Sequence, residues 1–122
     1  MYGKTKQKGE EVVLKHSNRN VIIRIICPFN VFYPRKTDFI RITVDKLSKN
    51  EQFTGITDQI TNPLYMPYLT SALQKLVVSG AFGIYHLGAT DSDSNYNIVK
   101  RLAQMLDLDT NLIMPITLET FM

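Results

Sequence analysis

The chain has 122 residues, one cysteine, no tryptophan and a formal net charge of +3, with 44% apolar and 20% charged residues. This is the composition of an ordinary globular protein, and the length fits one domain. The lone cysteine, Cys27, excludes an internal disulfide and favours a reducing, cytoplasmic location. Apolar runs are far shorter than the roughly 20 residues that cross a bilayer. The dispersed, mixed charges favour neither nucleic acid nor a membrane as partner.

Helical and extended patterns alternate along the chain. Val21 to Cys27 has the sequence VIIRIIC, a β-branched run typical of a strand buried on both faces. Ser94 is a suitable N-cap for the last long helix, and Gly80 is suited to close the helix before it. The alternation predicts an α/β fold with mostly parallel strands. Helices are predicted at residues 2–16, 38–47, 69–77 and after 94, and strands at residues 21–27, 51–57, 82–87 and 112–116.

The first predicted helix opens with a tyrosine and a lysine four residues apart. This spacing places Tyr2 and Lys6 on one face of a helix. An ammonium group beside a phenol favours the phenolate, and such a tyrosine can exchange a proton with a substrate oxygen during hydride transfer. The Y-x-x-x-K pattern is also frequent by chance, so a solvated helical turn is the alternative interpretation.

Six short motifs follow one another along the chain. They are Y-G-K-T-K-x-x-G-E-E at the start, the VIIRI strand, P-F-N-V-F-Y-P, D-Q-I-T-N-P at 58–63, G-I-Y-H-L-G at 83–88 and S-N-Y at 94–96. Together they resemble the extended branch of the short-chain dehydrogenase/reductase superfamily, and the last three resemble its dTDP-4-dehydrorhamnose reductase-like subgroup. The resemblance covers the C-terminal half of such a protein, from the Y-x-x-x-K motif onward. It implies a partial Rossmann-type α/β fold.

This resemblance also implies an activity and a set of site residues. The parent reaction is the reduction of a 4-keto nucleotide-sugar by NADPH or NADH. Tyr2 would be the acid/base, and Lys6 would favour its phenolate and bind the nicotinamide ribose. Arg35 could meet a phosphate or remain a solvated loop residue. The implied residues are Tyr2 and Lys6 for catalysis, Lys6, Pro28 and Phe29 for the cofactor, and Asn30 and Arg35 for the substrate.

Two of the departures from the family pattern concern the candidate site directly. The loop ends in Phe32-Tyr33-Pro34, where the family has Y-G-P. No G-x-x-G-x-x-G or G-x-G-x-x-G occurs, although such a turn binds the dinucleotide pyrophosphate. We therefore expect residues 1–122 to be the substrate-side part of a reductase without its N-terminal dinucleotide-binding half. We expect this part alone to bind NAD(P)H weakly and to be inactive.

Other interpretations and partners stay open. The same subgroup includes regulatory subunits of methionine adenosyltransferase, so a non-catalytic binding role is an alternative, as is a fragment without function. A nucleotide-sugar is the partner in the parent family. Because the strand at 21–27 would lack sheet neighbours, we expect it to expose a large apolar face or to be covered in a homo-oligomer or by the missing N-terminal half.

The remaining reactive side chains are predicted to be structural. His16 is expected at the surface, and His86 within or at the end of a strand. Cys27 is expected to pack as a small apolar residue. Asp58 and Gln59 are expected to stabilise a turn. The two histidines and one cysteine lack metal-ligand spacing, so no metal site is predicted.

Overall fold

The computed structural model describes residues 1–30 and 37–122. Arg35 and the Phe32-Tyr33-Pro34 stretch lie outside the described residues. Within these two ranges, helices and strands alternate as the sequence predicts. The helices are α1 (Tyr2–His16), α2 (Phe39–Ser48), α3 (Met66–Val78), α4 (Asn95–Met105) and α5 (Leu118–Phe121). The strands are β1 (Val21–Ile25), β2 (Pro28–Phe29), β3 (Phe53–Ile56), β4 (Ile60–Thr61), β5 (Leu64–Tyr65), β6 (Gly83–Leu87), β7 (Asp93–Ser94) and β8 (Ile113–Ile116).

Most of the strand pairing is parallel. The pairs β1–β6, β2–β5 and β3–β8 run parallel, and the short pair β4–β7 runs antiparallel. Parallel strands need a crossover between them, and here helices lie in the connections of β1 to β6 and β3 to β8. The α/β fold with mostly parallel strands is therefore confirmed.

Local sequence signals fix the ends of the helices. Asp38 precedes α2, and its side chain accepts a hydrogen bond from the Arg41 backbone N–H at 3.0 Å. Ser94 caps α4 in the same way, at 3.1 Å from the Asn97 nitrogen, as predicted. Gly80 follows α3 with φ of +66°, the left-handed conformation that glycine adopts without steric cost.

β1 differs from its prediction in length and burial. It ends at Ile25 because Cys27 has φ of +45°, a left-handed conformation that cannot continue a strand. Its first three residues are half-buried, and the last two are exposed. The prediction of burial on both faces was therefore wrong for this chain. Among the described residues, β6 is the one strand paired with β1. Two strands alone cannot bury the faces of their own sheet.

The main hydrophobic core lies between α2, α4, β3 and β8. Its buried members are Leu47, Val99, Ala103 and Ile113. α4 lies so close to β3 that a Cβ at Gly55 would sit 2.9 Å from the Cα of Tyr96. The region of α1, β1 and β6 is separate from this core, and α1 has no buried residue.

Candidate active site

Tyr2 and Lys6 lie on the same side of the first turns of α1. The Lys6 Nζ is 5.4 Å from the centroid of the Tyr2 ring. The Tyr2 side chain is 77% exposed, so its phenol is accessible to a ligand. The structure therefore brings the two residues together as the helical spacing predicts. Their catalytic roles remain predictions at this stage.

A charged pair connects α1 to the sheet. Arg24 Nε donates to Glu10 Oε1 at 2.9 Å, and Arg24 Nη2 donates to Glu10 Oε2 at 2.6 Å. We call this bidentate pair the Glu10–Arg24 clamp. Two parallel N–H···O bonds fix direction as well as distance, because both groups are planar. Glu10 is also the one residue of α1 that is not exposed.

The clamp changes the titration of both partners. The hydrogen bonds from Arg24, and its positive charge, lower the pKa of Glu10 below its usual 4.5. The same contact raises the pKa of Arg24. His86 lies directly opposite Arg24 in the register of β1 and β6, with its Nε2 3.4 Å from Arg24 Nη1. The Glu10 carboxylate is thus held by one side of the Arg24 guanidinium, whose remaining nitrogen faces the His86 imidazole.

The carboxyl ends of β1 and β6 border a cavity of about 340 Å³, which we call the strand-end cavity. Ligands of open α/β folds bind outside the carboxyl ends of the strands. One wall is fixed by Asn62, which accepts from the Ala89 N–H at 2.6 Å and donates to the carbonyls of Ala89 and Asp91. The cavity is lined by Arg24, Ile25, Ile26, Asn62, His86, Leu87 and Gly88.

The other predicted ligand residues lie on β2 and just after it. Pro28 and Phe29 pair with β5, where the Phe29 ring lies 5.3 Å from that of Tyr65. The backbone N–H of Asn30 donates to Asp38 Oδ2 at 3.3 Å. The structure brings Phe29 and Asn30 together at one cavity, and neither Tyr2 nor Lys6 is among its described lining residues.

This second cavity, the α2–α4 cavity, has a volume of about 600 Å³ and mostly apolar walls. Asn30, Arg41, Asp45 and Ser48 supply its polar groups. Ligand sites commonly combine such apolar walls with a few polar side chains that fix orientation. The described lining residues are Phe29, Asn30, Ile40, Arg41, Val44, Asp45, Ser48, Leu102 and Leu106.

The residues that were predicted to have only structural roles agree with the structure to different degrees. His16 is exposed, as predicted. Cys27 does more than fill space, since its Sγ accepts a hydrogen bond from the Thr61 hydroxyl at 3.1 Å. Asp58 serves a distant element rather than its own turn, because its Oδ1 accepts from the N–H of Leu118, at the start of α5, at 2.7 Å.

In the described ranges no group of three or more His, Cys, Asp or Glu side chains could hold a metal. No helix in these ranges is long and apolar enough to cross a membrane.

Sequence reasoning missed the two contacts that shape the sheet end of the site. Neither the Glu10–Arg24 clamp nor the bonds of Asn62 to the loop at 89–91 was predicted. Both join residues that are far apart in sequence, 14 positions for the clamp and 27 for Asn62 to Ala89. The only available signal was that Glu10, Arg24 and Asn62 each fall within one of the six motifs.

The parallel strands, the cavity at their carboxyl ends and the adjacent tyrosine–lysine helix define a Rossmann-like α/β protein of the short-chain dehydrogenase/reductase type. The family described as "RmlD substrate binding domain" matches residues 1–122. The chain therefore belongs to the RmlD substrate-binding-domain family, and it is related to the dTDP-4-dehydrorhamnose reductases.

Individual relatives agree with this assignment. A dTDP-4-dehydrorhamnose reductase of Aggregatibacter actinomycetemcomitans is 32% identical over 93 residues, which cover 70% of this chain and 30% of the relative. The spore coat polysaccharide biosynthesis protein SpsK of Bacillus subtilis is 27% identical over 99% of this chain and 41% of its own length. The crystal structure of the Bacillus anthracis dTDP-4-dehydrorhamnose reductase, in complex with NADP, superposes with a TM-score of 0.89 at 25% identity, over 98% of this chain and 41% of that one. The chain thus spans less than half the length of these relatives.

Proposed function

We propose that this chain forms the substrate-binding part of a reductase that converts a 4-keto nucleotide-sugar to the alcohol at the expense of NAD(P)H. The observation that carries the proposal is the exposed Tyr2 phenol beside the Lys6 ammonium, on a helix attached to the carboxyl end of a parallel sheet. The family match over residues 1–122 supports it. The Bacillus anthracis relative, crystallised with NADP, supports the choice of cofactor class.

Residues of this chain fit the nicotinamide end of a dinucleotide. The Lys6 ammonium is a donor suited to ribose hydroxyls, and Phe29 with Pro28 offers an apolar surface suited to a nicotinamide ring. The sequence holds no glycine-rich turn to bind the pyrophosphate. When NAD(P)H is bound by the complete protein, it supplies the hydride that the 4-keto carbon accepts.

The proton in this proposal comes from Tyr2. As the carbonyl π bond breaks, its oxygen gains negative charge and takes the proton of the Tyr2 hydroxyl. The resulting phenolate is stabilised by the Lys6 ammonium. Asn30, at the α2–α4 cavity, would hydrogen-bond the nucleotide-sugar, and Arg35 would meet a phosphate. Among these roles, the Tyr2 proton transfer gives the sharpest test.

The chain offers a matched control for that test. Tyr96 and Lys100 on α4 have the same spacing, and the Lys100 Nζ is 5.6 Å from the Tyr96 ring centroid. Tyr96 is half-buried and packs against the main core. We therefore compare Tyr2→Phe with Tyr96→Phe, since each removes one hydroxyl beside one lysine.

The assay is NADPH oxidation with dTDP-4-dehydrorhamnose. It uses this chain combined with the dinucleotide-binding half of the Bacillus anthracis reductase, either fused or co-produced. We expect Tyr2→Phe to lower the rate by about 10²–10⁴-fold, the usual contribution of general acid catalysis, and Tyr96→Phe to leave it within twofold. Equal rates for the unmodified and Tyr2→Phe proteins would refute the assignment of Tyr2.

We further propose that the β1–β6 sheet is completed by a dinucleotide-binding half. Apolar side chains of this sheet, including Ile25 and Ile84, are well exposed, as is Ile26 directly after β1. Parallel sheets are ordinarily covered on both faces, so this one requires a partner. The relatives extend well beyond the matched region, which supports a half of the same protein class as that partner.

Sedimentation distinguishes the possible partners. A mixture of this chain with the dinucleotide-binding half should contain a 1:1 complex, and Ile84→Glu should abolish that complex. Val78→Glu, on the exposed end of α3, is the control and should leave it intact. Self-association that persists in the presence of the half would instead identify a second copy as the partner.

The non-catalytic alternative makes a different prediction. A regulatory subunit would bind a methionine adenosyltransferase with an affinity that does not depend on the Tyr2 hydroxyl. The resemblance of the motifs at 58–63, 83–88 and 94–96 to the subgroup that includes such regulatory subunits is what supports it. Pull-down of a purified methionine adenosyltransferase by both the unmodified chain and Tyr2→Phe, together with no reductase activity in the combined protein, would support this alternative.

A further inference from the structure

α1 is attached to the rest of the molecule by few groups. Every one of its residues is exposed except Glu10. The helix ends at His16, and the following turn is tied back to it by the Asn20 amide, which donates to the Val13 carbonyl. The hydrophobic attachment that positions most helices is therefore small here, and the Glu10–Arg24 clamp is the ionic link between α1 and β1.

The clamp lies on the same side of α1 as the tyrosine–lysine pair. Tyr2, Lys6 and Glu10 are separated by steps of four residues, and each such step turns the helix by only about 40°. A ridge of side chains therefore runs from the phenol through the ammonium to the clamped carboxylate. Whatever fixes Glu10 also fixes the direction in which Tyr2 and Lys6 point.

We propose that the Glu10–Arg24 clamp is a positioning pair, which sets the orientation of α1 and thereby holds Tyr2 in place for proton transfer. This inference rests on the proposed function for the role of Tyr2. The attachment of α1 itself can be measured without any activity.

The distance between Tyr2 and Glu10 explains why a bidentate contact at Glu10 would help to hold Tyr2 in place. Glu10 lies eight positions after Tyr2, which corresponds to about 12 Å along the helix axis. A tilt of about 10° at Glu10 would move the backbone of Tyr2 by about 2 Å, and a misplacement of about 1 Å can cost 10²-fold in rate. A single hydrogen bond permits such a tilt, whereas the two parallel bonds at 2.9 and 2.6 Å restrain it.

His86 reinforces this geometry from the neighbouring strand. It stands opposite Arg24 in the register, and its Nε2 is 3.4 Å from Arg24 Nη1. The two Arg24 nitrogens bonded to Glu10 are Nε and Nη2, so His86 contacts the remaining one. The guanidinium is thus bordered by both α1 and β6, which fixes its plane.

The first experiment measures helix attachment in the full chain by amide hydrogen exchange. A detached helix of 15 residues with two glycines is at best marginally stable, so detachment of α1 should appear as faster exchange. We expect Arg24→Lys, which keeps the charge but loses the planar fork, to accelerate exchange in α1 at least tenfold and to leave α4 unchanged. The control is Arg101→Lys, which alters a more exposed pair with Asp93 and should leave α1 unchanged. A change of less than twofold in α1 for Arg24→Lys would overturn the proposal.

The second experiment measures kcat and KM in the combined reductase. Arg24→Lys should lower kcat at least tenfold with KM within twofold, and the exchanged pair Glu10→Arg with Arg24→Glu should recover part of both kcat and the exchange protection. Faster exchange in α1 with an unchanged kcat would overturn the positioning role. If the unmodified combined protein has no activity, the proposed function fails, whereas the exchange experiment still decides whether the clamp orients α1.

Discussion

A close backbone approach outside the candidate site, at Gly55 on β3, makes a quantitative prediction. A Cβ at this position would lie 2.9 Å from the Cα of Tyr96 and 3.0 Å from its Cδ2. The Tyr96 ring could rotate away, but its Cα can move only if α4 moves with it. The backbone of Gly55 is not left-handed, so the cost of Gly55→Ala is steric.

Two opposing terms set the expected magnitude. Overpacking of a well-packed contact costs typically 1–3 kcal/mol. Replacing glycine by alanine lowers the entropy of the unfolded chain, which raises the free energy of unfolding by about 0.4–1 kcal/mol. We therefore expect Gly55→Ala to lower the free energy of unfolding by about 1–2 kcal/mol. For a chain of this size the corresponding decrease in Tm is roughly 4–8 °C.

A second glycine provides the control. Gly9 lies inside α1, and nothing is within 4 Å of a Cβ built on it. Gly9→Ala should therefore raise the stability of α1 by about 0.5–1 kcal/mol. Urea unfolding followed by circular dichroism measures both variants. A Gly55→Ala protein as stable as the unmodified chain would show that α4 does not pack as closely on β3 as described.

Two further predictions concern the core and the clamp. Leu47 is 2% exposed, so Leu47→Ala should lower the free energy of unfolding in urea by about 2–5 kcal/mol. Leu106 is 48% exposed, so Leu106→Ala should lower it by less than about 1 kcal/mol. Equal effects of the two variants would show that Leu47 is not in the core. Because Arg24 lowers the pKa of Glu10 in the folded chain, the clamp should be intact above pH 4.5 and be lost as the pH falls through the lowered pKa. A carbon-13 titration of the Glu10 carboxyl should show this, Arg24→Gln should bring the pKa back toward 4.5, and an unchanged titration in that variant would contradict the assignment.

Local signals were sufficient to predict most long elements. The composition of residues 2–16 favours the helix α1, and Ser94 and Gly80 mark the ends of other helices because their chemistry satisfies terminal backbone groups. The two buried residues of α2, Thr43 and Leu47, are four positions apart, which is the spacing of one helix face. These features depend on residues within one or two helical turns, which a single sequence displays directly.

Long-range pairing was not predictable in the same way. The two-residue strands β4 and β7 form because Ile60 lies opposite Ser94, 34 positions away, and neither segment has a strand pattern of its own. The end of β1 depends on the left-handed conformation of Cys27, which its residue type does not favour. Whether β1 is buried depends on neighbours that these residues do not supply.

The tyrosine–lysine motif occurs twice in the chain, and the structure is needed to distinguish the two copies. The pattern Y-x-x-x-K occurs at Tyr2 and again at Tyr96, and the lysine-to-ring distances, 5.4 and 5.6 Å, are nearly the same. Spacing and proximity therefore cannot decide between the two pairs. Their exposure differs, since Tyr96 is half-buried against the core whereas Tyr2 is 77% exposed, and a proton donor must be accessible to its substrate. Tertiary packing, rather than the motif alone, makes Tyr2 the candidate acid.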